Sequence, residues 1–93
     1  MGKYLVAFGT PHHVETALHD TQGTAKSALL KALRERKKWG EHFSHATRDE
    51  VQAIISQVSS INLDDAKVGR QWEWEAHDEV SRMTFVYRLV KQL

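Results

Sequence analysis

Apolar and polar positions alternate with period two in Gln71-Trp-Glu-Trp-Glu-Ala76, and again in Arg82-Met-Thr-Phe-Val-Tyr-Arg-Leu-Val90. A polar corner, His77-Asp78-Glu79, separates the two runs. This pattern predicts an antiparallel β-hairpin. Centring its turn on Asp78-Glu79 sets Trp74 opposite Met83 and Trp72 opposite Phe85. The same register sets Glu75 opposite Arg82 on the other face, so one pairing satisfies both faces. The run Lys3-Tyr-Leu-Val-Ala-Phe-Gly-Thr10 predicts a first strand. Tyr4, Val6 and Phe8 face one way, Leu5 and Ala7 the other, and two apolar faces imply a central strand. Gly9-Thr10-Pro11 ends it, because proline donates no ladder hydrogen bond. From His12 to Gly23, alternation of Val14, Thr16 and Leu18 favours an extended segment. A helix begun here would enclose Gly23 at a cost near ~1 kcal/mol.

Between these strands the period changes to 3.6. Ala25, Ala28, Leu29, Ala32, Leu33 and Arg36 fall on one stripe that Trp39 closes, with Thr24 as expected N-cap and Gly40 as stop. Arg36, Lys37 and Lys38 crowd the last turn, where the helix dipole favours cations. Thr47-Arg48-Asp49-Glu50 reads as a capping box, followed by Val51, Ile54, Ile55 and Val58 at i, i+3, i+4 and i+7. The expected fold is α+β: a small antiparallel sheet of three or four strands, two α-helices packed on one face, and a C-terminal β-hairpin. Strand orders ββααββ and βααββ both fit. A ferredoxin-like βαββαβ order requires a short strand within Trp39–Ala46. Trp72, Trp74, Met83, Phe85, Tyr87 and Leu89 are expected to meet the helices. The opposite face, with Glu73, Glu75, Arg82, Thr84, Val86, Arg88 and Val90, is expected to be solvated, with Val86 and Val90 leaving room for a homodimer contact.

The 93 residues suit a single domain, 1–93, with 41% hydrophobic and 27% charged residues. The chain has no cysteine, which removes disulfides and thiolate chemistry and fits a reducing, cytoplasmic setting. No apolar run approaches the ~20 residues of a membrane helix, and no secretion leader precedes the first strand. Net charge is only +1, but it is unevenly distributed: Thr24–Arg48 carries +5 and Asp49–Val80 carries −6. Such asymmetry marks a nucleic-acid contact, a charged protein interface, or mutual neutralisation inside the fold.

Candidate chemistry is sparse. Six histidines (His12, His13, His19, His42, His45 and His77) exceed ordinary usage, and His42-Phe-Ser-His45 places two imidazoles three apart. Zinc would need further ligands, and neither His-Glu-x-x-His nor a cysteine pair is present. No metal or other cofactor is therefore expected. His12-His13 follows the first strand, where an imidazole could act as general base or acid in RNA cleavage. The opening Tyr4–Pro11 resembles the first strand of small ferredoxin-like nucleases. That family carries an aspartate at the strand's end, where this chain has Gly9-Thr10. Gly23-Thr-Ala-Lys26-Ser27 echoes the end of a phosphate-binding loop but lacks its first glycine.

The strongest binding feature is the basic run Lys31, Arg34, Arg36, Lys37 and Lys38, which could neutralise phosphates or an acidic partner. Trp72 and Trp74 could stack on bases, although their hairpin pairing favours burial. Three functions follow. The first is a small non-catalytic module that regulates or inhibits a larger protein or nucleic-acid-processing partner through charged surfaces. The second is a nucleic-acid-binding domain using the basic helix. The third is a histidine-dependent nuclease. The first is preferred, with a protein as the expected partner and no membrane association.

Overall fold

The computed structural model describes residues 2–38 and 44–93, with His45 described by its backbone alone. The first alternating run forms β1 (Tyr4–Thr10), which turns through Pro11-His12 into β2 (His13–His19). The two pair antiparallel, Tyr4 with His19 through Thr10 with His13. The 3.6-period segments form α1 (Gln22–Lys38) and α2 (His45–Ser60), and the tryptophan-rich hairpin forms β3 (Gln71–Asp78) and β4 (Met83–Lys91). All four strands are antiparallel in one sheet of order β2-β1-β4-β3. The α+β class is thus as expected, and of the two orders left open the chain adopts ββααββ. The ferredoxin-like order is excluded, because β1 runs into β2 without an intervening helix. Residues 39–43, which hold the expected helix stop at Trp39-Gly40 and most of the alternative short strand, lie outside the described residues.

Both helices pack on one face. Tyr4 and Val6 of β1, Ala76 of β3, and Phe85, Tyr87 and Leu89 of β4 are buried there with Ala25, Leu29 and Leu33 of α1 and Val51, Ile54, Ile55 and Val58 of α2. Removing a leucine- or phenylalanine-sized side chain from water contributes roughly 1.5–3 kcal/mol, so this one layer supplies most of the drive to fold. Leu63, in the connection after α2, is also fully buried. Trp72 and Trp74 are only partly buried at the margin of this layer. Met83 shares their face but stays 42% exposed.

Three local expectations are corrected. The hairpin register is Trp72 opposite Leu89, Trp74 opposite Tyr87, and Glu73 opposite Arg88, closed by Asp78 opposite Met83. The loop is therefore Glu79–Arg82, with Arg82 in the left-handed region at φ 60°. Each tryptophan's partner lies four residues beyond the expected one. An even displacement leaves every side chain on its anticipated face. The caps also move upstream. Thr21, not Thr24, caps α1: its hydroxyl accepts from the Thr24 N–H at 3.2 Å. Gly23 falls in the first turn, where backbone N–H groups lack intrahelical partners anyway. Ser44, not Thr47, caps α2, accepting from the Thr47 N–H at 3.2 Å. Thr47 is instead buried and hydrogen-bonded to Asp78.

At its other end α2 is closed by α1. The Lys26 ammonium donates to the Ser59 carbonyl at 3.0 Å and the Ile61 carbonyl at 2.6 Å. A cation on the last carbonyls satisfies orphan acceptors and complements the dipole. Lys26→Met, which keeps the aliphatic stem, is expected to cost about 1 kcal/mol in chemical denaturation. An unchanged midpoint would show that water replaces the ammonium without loss.

Candidate interaction surfaces

The 3.6 period that buries Leu29 and Leu33 turns Lys31, Arg34 and Lys38 to the opposite side of α1, and all three are exposed. None makes an ion pair or hydrogen bond among the described residues. The other two members of the basic run are engaged. The Arg36 guanidinium lies 4.1 Å from the Phe85 ring centroid. Burial holds the pKa of the neighbouring Tyr87 phenol above its ordinary value, and Arg36 offsets only part of that rise. The Lys37 ammonium donates to Gln52 at 2.5 Å. The five cations expected to form one patch therefore divide into a free ridge of three and a structural pair.

Four of the eight acids in the acidic stretch are engaged away from that ridge. Asp78 is fully buried beneath the β3–β4 loop. Asp64 accepts from the Tyr4 hydroxyl, which raises the tyrosine's pKa, and from the Gln22 amide at 3.3 Å. Asp65 accepts from Asn62 at 2.7 Å, and Glu73 pairs with Arg88 at 2.8 Å. These carboxylates are spent on the fold's own seams.

Among the described residues the histidines do not converge. His13 and His19 sit at opposite ends of β2, and the His77 ring is bonded to Thr84 at 2.8 Å on the hairpin. His12 lies in the turn before β2, His42 lies outside the described residues, and His45 opens α2. Among the described residues, no group of three or more metal-ligating side chains assembles. The phosphate-loop echo dissolves as well, because Lys26 is the cap of α2.

Two further surfaces were partly visible in the sequence. The sheet face away from the helices holds an open cleft of about 590 Å³, lined by Leu5, Ala7, Val14, Thr16, Val86 and Arg88 among others. Val14 and Leu18 there are 46% and 58% exposed. This face is more apolar than expected, because β2 adds its alternating Val14, Thr16 and Leu18. On the helix side, a groove of about 440 Å³ runs between β3 and the end of α2, walled by Trp72 and Trp74 on one side and Gln57 and Ser60 on the other. The Trp74 indole N–H donates to Gln57 at 2.8 Å, and the Arg70 guanidinium lies 5.3 Å from the Trp72 ring centroid. Alternation in Arg70-Gln-Trp-Glu-Trp-Glu75 announced the shared face, but not that a helix would stop short of it. Among the described residues, no helix is long and apolar enough to cross a membrane. Comparison with protein-family models, curated proteins and solved structures returns no match for this chain.

Proposed function

We propose that the protein is a small non-catalytic interaction module that docks on the acidic surface of a larger partner through the outward face of α1. One observation carries this reading: Lys31, Arg34 and Lys38 project from a single rigid helix face without partners among the described residues. A ridge of unpaired cations raises the rate of encounter with an acidic surface and sets orientation, in a salt-dependent manner. Leu29 and Leu33, buried on the same helix, hold the ridge in place. Occupying a partner's acidic site in this way would serve regulation or inhibition.

The test replaces Lys31, Arg34 and Lys38 together with glutamate. All three are exposed, so the fold and melting temperature should persist. Fluorescence anisotropy should show the unaltered protein binding a labelled poly-glutamate peptide at low salt, and the variant losing at least about tenfold in affinity. Equal binding by both proteins would remove the ridge from the interface. Labelled single- and double-stranded RNA and DNA form the parallel arm. Tighter, steeply salt-dependent binding there would replace the protein partner with a nucleic acid. The tryptophans lend that alternative no support, since they flank the helices and Trp74 is held by Gln57.

A further inference from the structure

β3 is an edge strand whose sole sheet neighbour among the described residues is β4. The Lys91 N–H donates to the Arg70 carbonyl at 3.0 Å. Antiparallel alternation then turns the main-chain groups of Trp72 and Trp74 toward β4, and those of Gln71, Glu73 and Glu75 toward the open edge. Three features line that edge together. Its N–H and C=O groups offer a ladder. Its helix side opens onto the Trp72–Trp74 groove, closed at one end by Arg70 stacked on Trp72. Its outer side carries Glu73 and Glu75 two residues apart. Glu73 is committed to Arg88, whereas Glu75 faces Val86 and makes no ion pair or hydrogen bond among the described residues.

We infer that the open edge of β3 accepts an extended segment of a partner protein as an added strand, with Lys or Arg at alternate positions over Glu73 and Glu75 and apolar side chains between them in the tryptophan groove. Strand addition draws affinity from main-chain bonds and specificity from alternate side chains. β4 already presents the matching pattern from the other side: Arg88 stands opposite Glu73, while Tyr87 and Leu89 stand opposite Trp74 and Trp72. A second copy of this chain is a poor occupant. Antiparallel β3–β3 pairing would set glutamate rows against each other, and like charges directly opposite are destabilising. This surface is distinct from the α1 ridge and opposite to it in charge preference, so either can fail without the other.

The experiment adds a short capped peptide alternating lysine with valine and leucine, or its counterpart with glutamate in place of lysine, to the full chain. Amide exchange and affinity are then measured. The lysine peptide should slow exchange at Gln71, Glu73 and Glu75 but not at Val14–Leu18 of the other edge, and should bind at least about tenfold tighter than the glutamate peptide. Glu75→Arg, an exposed substitution that should leave the melting temperature unchanged, should reduce or invert that preference. Equal affinity for the two peptides, protection confined to β2, or a preference unaltered by Glu75→Arg would overturn the assignment.

Discussion

Asp78→Ala is expected to lower the melting temperature by roughly 10 °C or more, and Asp78→Asn by about half as much. The Asp78 carboxylate is buried where three pieces of chain meet. It accepts from the Ser44 N–H at 3.0 Å, the Thr47 hydroxyl at 2.8 Å and the Ser81 N–H at 2.7 Å. One side chain therefore ties the start of α2 to the hairpin loop and to β3. Alanine removes the acceptor shared by all three donors, and for the buried Thr47 hydroxyl this is the costly way to lose a hydrogen bond. Asparagine keeps one oxygen but turns a donor toward another donor. Burial alone would raise the pKa of this group. The bonds from Ser81, Ser44 and Thr47 outweigh that and hold it well below the usual carboxylate range. A depressed folded-state pKa fixes the sign. The stabilisation is fully present above the unfolded value of about 3.9, and it is lost as pH falls below that value toward the folded one. Thermal melts by circular dichroism from neutral pH to below pH 4 should show a shallower acid branch for Asp78→Asn than for the unaltered protein. Parallel acid branches would mean that other carboxylates govern acid unfolding.

Gly9→Ala should detach β2. Gly9 adopts φ +152°, and a Cβ there would lie 2.1 Å from the His13 carbonyl oxygen. That oxygen belongs to the backbone of the paired strand and cannot swing aside as a flexible side chain would. The close approach lets β1 reverse through Pro11-His12. Alanine must therefore spread the pairing or leave the residue in a conformation L-amino acids rarely adopt, at a cost on the order of 3 kcal/mol. A chain of this size has only about 5–14 kcal/mol of stability in total. Hydrogen exchange should show lost protection across Val14–Leu18 together with a melting temperature lower by about 10 °C. Intact protection there would mean that the turn relaxes to admit a methyl group.

The sequence disclosed what periodicity controls. Alternation at Tyr4–Phe8 and Trp72–Leu89 assigned strands and faces, and the Leu29/Leu33 and Val51/Val58 stripes assigned helices. Register and caps were hidden because they depend on tertiary bonds. Thr47 imitates a cap in sequence, yet its hydroxyl is drawn to Asp78, from a strand far along the chain, while Ser44 takes the cap. The same carboxylate accepts from Ser81 inside the four-residue loop that accompanies the observed register. Of the candidate site, the exposed Lys31–Arg34–Lys38 ridge followed from helical spacing. That Arg36 would lie on Phe85 and Lys37 would reach Gln52 did not, since both partners come from other elements. The β3 edge was obscured for a similar reason: which strand lies outermost depends on β1 pairing with β4.

That β1–β4 pairing, running from Tyr4 with Lys91 to Gly9 with Val86, also has a consequence in time. Each hairpin closes over a few residues and α1–α2 over a short connection, so these three pieces can form locally and fast. The central seam instead joins strands separated by nearly the whole described chain, and its loop-closure entropy must be met before the core gains from it. Synthesis on the ribosome sharpens the point. Until β4 emerges, β1 has β2 beside it but an open edge where its central partner belongs. The nascent chain therefore carries that strand edge unpaired, and open to association, until β4 arrives.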